Sequence, residues 1–463
     1  MARRLQLRWR FGGFLGAVVF LALAAAGTTF AFTRGGGQAT PEAPPSVREV
    51  TAAASPTPEP TPTATPTPEP RFPSLIDGVE LTEAEFRQLA ARFPIGVMVD
   101  NSALAVPQYG LSRAELVVEA FVEGGITRYL AFFWRNDASR IEPVRSARTP
   151  FLYWVLEFDA LYAHAGSAAT GTVANAEQQV REWGIRDLDG LLPPASSAFY
   201  RDPTRVAPYN LTTSTAALRD AAARLGLSSG FPTVEVWPFK ADFEETANAP
   251  LAGAIELSYR SAPVPWDLRQ WQWDPATNTY LRFYRGGPDI DLLTGEQLRF
   301  KNVIVMYVPA YVADDRGHVL LEQFGEGRAQ VFLDGRVVEG TWRKADRASR
   351  TRFYDRAGNE IRLNRGPIFI QMVAPDSFVR VYWRVPDLPP LPPYQPPAVA
   401  PDPATEPEEP TPTPPAETPT ATPTLEPSPT ATATPEPSPT ASPTPESTPT
   451  PPEPPASPTA AGG

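Results

Sequence analysis

The stretch "AELVVEAFVEGGITRYLAFFW", Ala114 to Trp134, contains two apolar runs separated by a single break. Each run has the length of a strand and is rich in β-branched and aromatic residues. Gly124 and Gly125 lie between the runs and can adopt the backbone conformations that a tight turn requires. The stretch therefore predicts two consecutive buried strands joined by a glycine turn.

Segments on both sides of this stretch alternate between strand and helix patterns. We expect a helix after Thr82, which can cap it, and another in "PFLYWVLEF", with Thr149 as its cap and Pro150 at its first position. Further strands are predicted in "PIGVMVD" and "DALYAHAG", and further helices in "TVANAEQQVREW" and "TAALRDAAARLG". The alternation predicts an α/β sandwich with a mixed sheet over residues 72–250.

From residue 251 to 386 the pattern changes to strands and turns. "QWQWDPATNTYLRFYRGG" alternates polar and aromatic residues around Asp-Pro and Thr-Asn, which predicts a hairpin. More strands are predicted in "NVIVMYVPAYV", "AQVFLDGRVVEGTWRK", "TRFYDRAGNEIRL", "IFIQMV" and "FVRVYWRV". The whole fold is therefore expected to be α+β, with a β-rich domain after the α/β domain.

The N-terminus predicts attachment to a membrane. Four arginines in residues 1–10 precede an uncharged apolar run over residues 11–32, which has the length of a bilayer-spanning helix. The arginines are expected to stay cytoplasmic, so the globular part would lie outside as a single-pass protein. A cleaved signal peptide is the alternative, because small residues at 24–26 suit cleavage.

Two segments rich in Pro and Thr flank the globular part, at residues 33–71 and 387–463. Proline fixes φ and removes a backbone donor, so these segments favour extended conformations and are predicted to be disordered. They are expected to act as spacers, glycosylated stalks or plain filler.

Composition excludes several classes of function. The formal net charge is −11, but the segment after Arg384 carries about ten acidic residues and no basic ones, so the folded part is close to neutral and nucleic acid is not an expected partner. There is no Cys and there are only two His residues, so we expect no metal site. No phosphate-binding glycine loop or dinucleotide fingerprint is present, so no cofactor is expected.

Two arginines in "IEPVRSAR", Arg145 and Arg148, stand directly before the predicted helix at Pro150. Free backbone N–H groups at a helix start favour an anion, and guanidinium groups match phosphate or carboxylate. Two other interpretations are open. The arginines could pair with the carboxylates of Glu119, Glu123 or Asp159, or they could lie in a solvated turn.

Other polar residues are expected near these arginines, because ligands of open α/β sheets bind beyond the strand ends. Asp100 and Asn101 end one predicted strand, Arg128 begins another, and His164 ends a third, although His164 also suits a purely structural role. The loop "YRDPTRVAPYN" adds a second basic group. The candidate ligand-binding residues are Asp100, Asn101, Arg128, Arg145, Arg148, His164, Arg201, Asp202, Arg205 and Asn210.

These strings resemble the YerB-type extracytoplasmic proteins, a two-domain bacterial family of unknown function. "PIGVMVDN", "IEPVRSAR", "DALYAHAG" and "YRDPTRVAPYN" carry the resemblance in the first domain, and "KNVIVMYV" and "DGRVVEGTWRK" carry it in the second. The family implies an envelope protein, often a lipoprotein held by an N-terminal Cys. This chain has no Cys, so a membrane helix would replace that anchor. It also has Tyr209 where the family commonly has His, so a role of that imidazole does not carry over.

The order of elements is also similar to that of the LytR–CpsA–Psr phosphotransferases. In that analogy Asp100 would be a metal ligand or base, and Arg145 and Arg148 would stabilise charge. The Arg-Ser-Asp signature of those enzymes is absent, because the comparable "LSRAEL" has Ala114 and Glu115. Whether the chain is an enzyme therefore stays open.

Three functions follow from the sequence. The first is an anchored envelope protein that binds an anionic envelope component or a protein partner. The second is a wall-associated phosphotransferase that uses Asp100, Arg145 and Arg148. The third is a non-catalytic scaffold. An enzyme should expose these three side chains together in one pocket, whereas a scaffold should bury them in mutual ion pairs.

Overall fold

The structure is a computed structural model that describes residues 69–228 and 230–395. The predicted basic segment, the predicted membrane helix, the first linker up to residue 68 and the tail from residue 396 lie outside the described residues. No helix within the described ranges is both long enough and apolar enough to cross a membrane.

The described part is mostly β with few helices. Its helices are α1 (Glu83–Ala90), α2 (Thr149–Glu157), α3 (Ala176–Glu182) and α4 (Thr215–Arg224). The strands up to residue 258 are β1 (Arg71–Pro73), β2 (Glu80–Thr82), β3 (Ile95–Asp100), β4 (Leu116–Phe121), β5 (Thr127–Phe133), β6 (Leu161–His164), β7 (Arg186–Asp189), β8 (Tyr200–Arg201), β9 (Leu211–Thr212), β10 (Phe239–Lys240) and β11 (Ala254–Ser258). The later strands are β12 (Arg269–Asp274), β13 (Thr279–Tyr284), β14 (Gly287–Pro288), β15 (Arg299–Phe300), β16 (Asn302–Tyr307), β17 (Ala310–Val312), β18 (Val319–Leu321), β19 (Gly325–Leu333), β20 (Arg336–Lys344), β21 (Arg352–Asp355), β22 (Leu363–Asn364), β23 (Ile368–Val373) and β24 (Phe378–Tyr382).

One mixed sheet of ten strands organises the molecule, in the order β21-β20-β19-β16-β23-β4-β5-β3-β6-β7. The predicted glycine turn lies at its centre. β4 and β5 are antiparallel neighbours, and Gly124 and Gly125 between them both have φ near +70°, a conformation that glycine adopts without strain.

Both halves of the chain contribute to this sheet. β23 from the second half lies parallel to β4 from the first, and β16 extends the parallel run. A second sheet, in the order β14-β13-β12-β11-β24 with β15 beside β13, comes entirely from the second half. The strands predicted in each half therefore meet in one shared sheet, a pairing between strands about 250 residues apart.

Apolar cores cover both faces of the large sheet. Alternate side chains of β4, such as Leu116 and Val118, join a core that includes Phe151 and Trp154 of α2. Val117 points the other way, into a core shared with α4 and with Trp271 of the second sheet. Burial on both faces explains why these strands are nearly continuous apolar runs in the sequence.

Helix starts confirm one predicted cap and correct another. Thr82 caps α1 as predicted, and its hydroxyl oxygen accepts from the Glu85 N–H at 3.3 Å. The predicted cap of α2 at Thr149 is wrong, because Arg148 is the residue before the helix and Thr149 is already helical. The Thr149 hydroxyl instead donates to Gln179 at 2.6 Å. Pro150 lies in the first turn of α2, as predicted.

The beginning of the predicted disordered tail is placed on the second sheet. The Pro389 carbonyl accepts a hydrogen bond from Gln270 Nε2 at 2.8 Å. The ring centroid of Tyr394 lies 5.0 Å from the Arg285 guanidinium carbon. Residues 387–395 thus depart from the prediction, because a tyrosine among the prolines provides a surface that can pack.

Candidate functional site

The predicted convergence of polar residues occurs at one edge of the large sheet. β3, β6 and β7 are parallel, so their carboxyl ends, at Asp100, His164 and Asp189, share this edge. β5 runs the other way, and its second residue, Arg128, pairs with Asp100. We call this edge, together with residues 140–148, the arginine edge.

The segment "IEPVRSAR" reaches the edge as an extended strand-like piece that lies between the ends of β3 and β6. Val144 forms an antiparallel bridge with Val99, and Ala147 forms a parallel bridge with Ser167. The backbone N–H of Arg145 donates to Met98 at 3.0 Å, and its carbonyl accepts from Ala165 at 3.0 Å. These bonds fix the backbone of Arg145 and direct its side chain toward Asp100.

Arg145 forms a buried ion pair with Asp100. The distance between Arg145 Nε and Asp100 Oδ2 is 2.8 Å, and the Asp100 side chain is fully buried. The other oxygen of Asp100 accepts the backbone N–H of Ser102 at 2.8 Å. Asp100 is thus engaged on both oxygens.

Glu123 joins the other two arginines of the group. Arg148 Nε donates to Glu123 Oε2 at 2.8 Å, and Arg128 Nη2 donates to Oε1 at 3.3 Å. Burial alone would raise the pKa of Glu123, but the charge of Arg128 and the hydrogen bond and charge of Arg148 outweigh it and lower the pKa to about 2. Glu123 is therefore a carboxylate at neutral pH, and it holds Arg128 and Arg148 together.

Arg128 experiences an excess of positive charge. Burial lowers the pKa of its guanidinium to about 10, the like charges of Arg148 and Arg145 add to this effect, and Glu123 and Asp100 oppose it. Its Nη1 donates to the Ser146 carbonyl at 2.8 Å. Three buried arginines thus share two carboxylates in this group.

His164 lies beside this group and has two oxygen neighbours. Its Nε2 is 2.7 Å from Asp187 Oδ1 and its Nδ1 is 2.8 Å from the Gly166 carbonyl oxygen. These two contacts fix the orientation of the imidazole ring at the end of β6. The nearby carboxylate of Asp189 accepts hydrogen bonds from the N–H of Gly166 at 2.8 Å and from the N–H of Leu191 at 2.9 Å.

Asn101 lies behind the edge in a buried network. Its amide donates to Thr127 Oγ1 at 2.8 Å and to Glu119 Oε1 at 3.2 Å. Glu119 in turn pairs with Arg269 and Arg282 of the second sheet, at 2.9 and 3.1 Å. The network connects the two halves of the chain, and the spacing of its members in the sequence does not reveal it.

The second predicted group lies next to the first, around Glu142 and Asp202. Arg140 pairs with both carboxylates, and Arg205 Nη1 lies 3.4 Å from Glu142 Oε1. Arg201 is exposed and donates to Asn210 Oδ1 at 2.8 Å. The Asn210 amide donates back to the Asp202 carbonyl at 3.0 Å, which closes the loop of residues 201–210.

Tyrosine rings connect the two groups. The Tyr209 ring centroid is 5.2 Å from the Arg145 guanidinium carbon. The Tyr109 ring centroid is 3.7 Å from the guanidinium carbon of Arg140 and 5.5 Å from the guanidinium carbon of Arg205. An aromatic face therefore lies next to Arg145.

The structure excludes one of the three interpretations of Arg145 and Arg148 and leaves anion binding as a prediction. Both are buried, so the solvated turn is wrong. Arg148 pairs with Glu123, one of the three carboxylates that were considered, whereas Arg145 pairs with Asp100. The other two considered carboxylates have different partners: Glu119 binds Arg269 and Arg282, and Asp159 binds Arg186.

A cavity of about 270 Å³ lies near the arginine edge and has no counterpart in the sequence predictions. Residues 169–172 line one side of it, and residues 314–316 line the other. A Cβ added to Gly317 would lie 4.0 Å from Glu123 Cβ, so the β17–β18 hairpin reaches the arginine edge. Within the described ranges, no group of three or more His, Cys, Asp or Glu side chains is arranged to hold a metal ion.

Two family models match the chain in succession. The N-terminal domain of a protein of unknown function (DUF3048) matches residues 81–228, and the C-terminal domain of the same family matches residues 257–370. The chain is similar to "Putative lipoprotein YerB" of Bacillus subtilis (strain 168), with 28% identity over 260 residues, which are 56% of this chain and 76% of that protein. The crystal structure of YerB from Bacillus subtilis has a similar fold, with a TM-score of 0.58 and 24% identity. That match covers 67% of this chain and 99% of the YerB chain.

Proposed function

Since the chain belongs to the two-domain DUF3048 family, a YerB-like family of unknown function, we propose that it is an envelope protein whose arginine edge binds an anionic envelope component. The similarity to YerB, which is described as a putative lipoprotein, supports a place in the envelope. The apolar run at residues 11–32 supports attachment as a single-pass protein with the globular part outside.

The arginines of the arginine edge carry the proposal. Its two groups contain six arginines and, with Asp187 and Asp189 included, six carboxylates, so the proposal rests on which arginines reach the surface and not on a net charge. The arginines are Arg128, Arg140, Arg145, Arg148, Arg201 and Arg205, and the carboxylates are Asp100, Glu123, Glu142, Asp187, Asp189 and Asp202. Guanidinium groups that reach the surface favour an anionic ligand.

Arg201 and Arg205 are the arginines that an incoming anion would meet. Arg201 is exposed and Arg205 is half-buried, whereas Arg128, Arg145 and Arg148 lie beneath the surface in ion pairs. Guanidinium groups bind phosphate and carboxylate oxygens through two parallel N–H donors. In this proposal the buried arginines contribute positive electrostatic potential and hold the loops in place. The outer arginines, Arg201 and Arg205, contact the anion directly.

The phosphotransferase alternative receives less support from the geometry. Asp100 is engaged by Arg145 and Ser102 rather than open to a substrate. Glu115, the acid at the comparable signature position, precedes β4 and accepts N–H groups of Trp134 and Asn136 at the opposite edge of the sheet. Burial and the charge of Asp77 raise the pKa of Glu115 to about 8. This acid is therefore remote from the arginines that it would have to assist.

The scaffold alternative is favoured by one observation, the burial of Asp100, Arg145 and Arg148 in ion pairs.

Anion binding and the scaffold can be distinguished by calorimetric titration of inorganic pyrophosphate into the full-length chain in a zwitterionic detergent at low salt. We expect binding by the parent, and at least tenfold weaker binding by Arg201→Gln.

Arg356→Gln is the matched control, because Arg356 is exposed in the turn after β21, on the opposite flank of the ten-stranded sheet. The control should bind pyrophosphate as the parent does. An absence of pyrophosphate binding by the parent, or equal weakening by both substitutions, would favour the scaffold.

A further inference from the structure

We propose that the loops of the arginine edge dock on the surface of an anionic lipid bilayer. This inference rests on the proposed function, since the same edge would meet the anionic groups, and it adds the source of those groups. The loops are residues 101–109, residues 165–175 and residues 190–210, which follow the carboxyl ends of β3, β6 and β7.

Aliphatic side chains project from the tips of these loops. Leu191 and Leu192 are 55% and 58% exposed, and the two prolines that follow them are exposed as well. Leu104 is 61% exposed and Val206 is 66% exposed. Four consecutive exposed apolar residues, with two more nearby, are unusual on a soluble surface unless they contact a partner.

Contacts between the loops place these tips on one surface. A Cβ on Gly166 would lie 3.1 Å from Leu191 Cδ1, so the leucine loop covers the end of β6. The guanidinium of Arg205 donates to the Pro107 carbonyl, which ties the Val206 loop to the Leu104 loop. The loop of residues 190–210 also contacts the segment 140–148, because the Tyr209 ring lies 5.2 Å from the Arg145 guanidinium carbon.

The charge of these loops selects a negative partner. Asp202 is the one acidic residue in the three loops, and its carboxylate is buried against Arg140. Arg201 and Arg205 are basic and reach the surface. The three loops themselves therefore present basic but no exposed acidic side chains, and the exposed Asp315 nearby belongs to the β17–β18 hairpin. Apolar tips beside arginines match the interface of a bilayer, where side chains enter the headgroup boundary and arginines meet lipid phosphates.

The absence of Cys from the chain allows a direct test in the full-length protein. An environment-sensitive fluorophore is attached to Leu104→Cys, Leu192→Cys or, as control, Ala357→Cys in the turn after β21. Each protein is reconstituted into vesicles of phosphatidylcholine alone or of phosphatidylcholine mixed equally with phosphatidylglycerol, with brominated acyl chains as the quencher. We expect quenching at positions 104 and 192 in the phosphatidylglycerol vesicles, and at least threefold less in pure phosphatidylcholine or at position 357.

Equal quenching at all three positions, or none at positions 104 and 192, would overturn the proposal. Docking on a protein partner instead of lipid would give the second of these results. Leu191→Ser combined with Leu192→Ser should reduce quenching at position 104 while calorimetric binding of pyrophosphate persists. If the parent binds pyrophosphate but shows no quenching, only the membrane proposal is rejected. If the parent shows neither pyrophosphate binding nor quenching, the proposed function is rejected as well.

Discussion

Arg145 and Asp100 form an ion pair beneath the surface of the arginine edge, with 2.8 Å between Arg145 Nε and Asp100 Oδ2. The pair connects the extended segment at residues 140–148 to the end of β3. Its burial means that one of the two arginines that suggested a ligand in the sequence also has a structural role.

Replacing Arg145 with Gln should destabilise the fold, because it leaves the buried carboxylate of Asp100 without its cation. Breaking a buried ion pair by removing one partner costs roughly 3–5 kcal/mol. We expect the free energy of unfolding, measured in urea, to fall by about that amount. Arg356→Gln is the control and should change it by less than about 0.5 kcal/mol. Similar values for the two variants would show that the pair contributes little.

Glu123 should make stability depend on acidity. Its pKa is about 2 in the folded chain, below the ordinary value of 4.5 that it regains on unfolding. The unfolded chain therefore binds the proton first, and the stabilisation present at neutral pH is lost as pH falls from about 4.5 toward 2.

A Glu123→Gln variant removes this titration. Between pH 5 and pH 3, its unfolding free energy should fall less steeply than that of the parent, by up to about 1.4 kcal/mol per pH unit. Identical slopes in urea titrations at these pH values would rule out a carboxylate held ionised by Arg128 and Arg148.

The first part of the C-terminal tail should steady a loop of the arginine edge. Arg285 lies against the Tyr394 ring and donates to the Ala103 carbonyl at 2.8 Å and the Asn101 carbonyl at 3.3 Å. A chain that ends after Pro389 should exchange the amide hydrogens of residues 102–105 at least threefold faster than the parent. A chain that ends after Gln395 retains the contact and is the control. Equal exchange in both truncated chains would mean that Tyr394 has no effect on this loop.

Local signals in the sequence predicted much of the fold. The glycine turn after β4, the cap of α1 and the hairpin of β12 and β13 each depend on residues a few positions apart. The parallel pairing of β23 with β4 could not be predicted in this way, because apolar runs buried on both faces have no feature that selects a neighbour. The α2 cap failed because Thr149 has a competing partner in Gln179.

The candidate site, like the fold, could be predicted from the sequence only in part. Asp100 and His164 could be placed at one edge from the sequence, because parallel strands end at the same edge of a sheet. Arg128 reaches that edge differently, at the start of the antiparallel strand β5. The sequence did not identify which carboxylate each arginine binds, since ion pairs depend on side-chain positions rather than on spacing. The exposure of the leucines at residues 191–192 could not be predicted either, because it depends on how the chain folds.

Arginine side-chain NMR shows whether the arginine edge binds an anion. Inorganic pyrophosphate is titrated into the full-length chain in a zwitterionic detergent while the Nε–H signals are recorded, with Arg201→Gln, Arg205→Gln and Arg356→Gln used for assignment. We expect the Arg201 and Arg205 signals to shift in a saturable way while the Arg356 signal stays in place. Unchanged Arg201 and Arg205 signals, or equal shifts of all three, would contradict the claim.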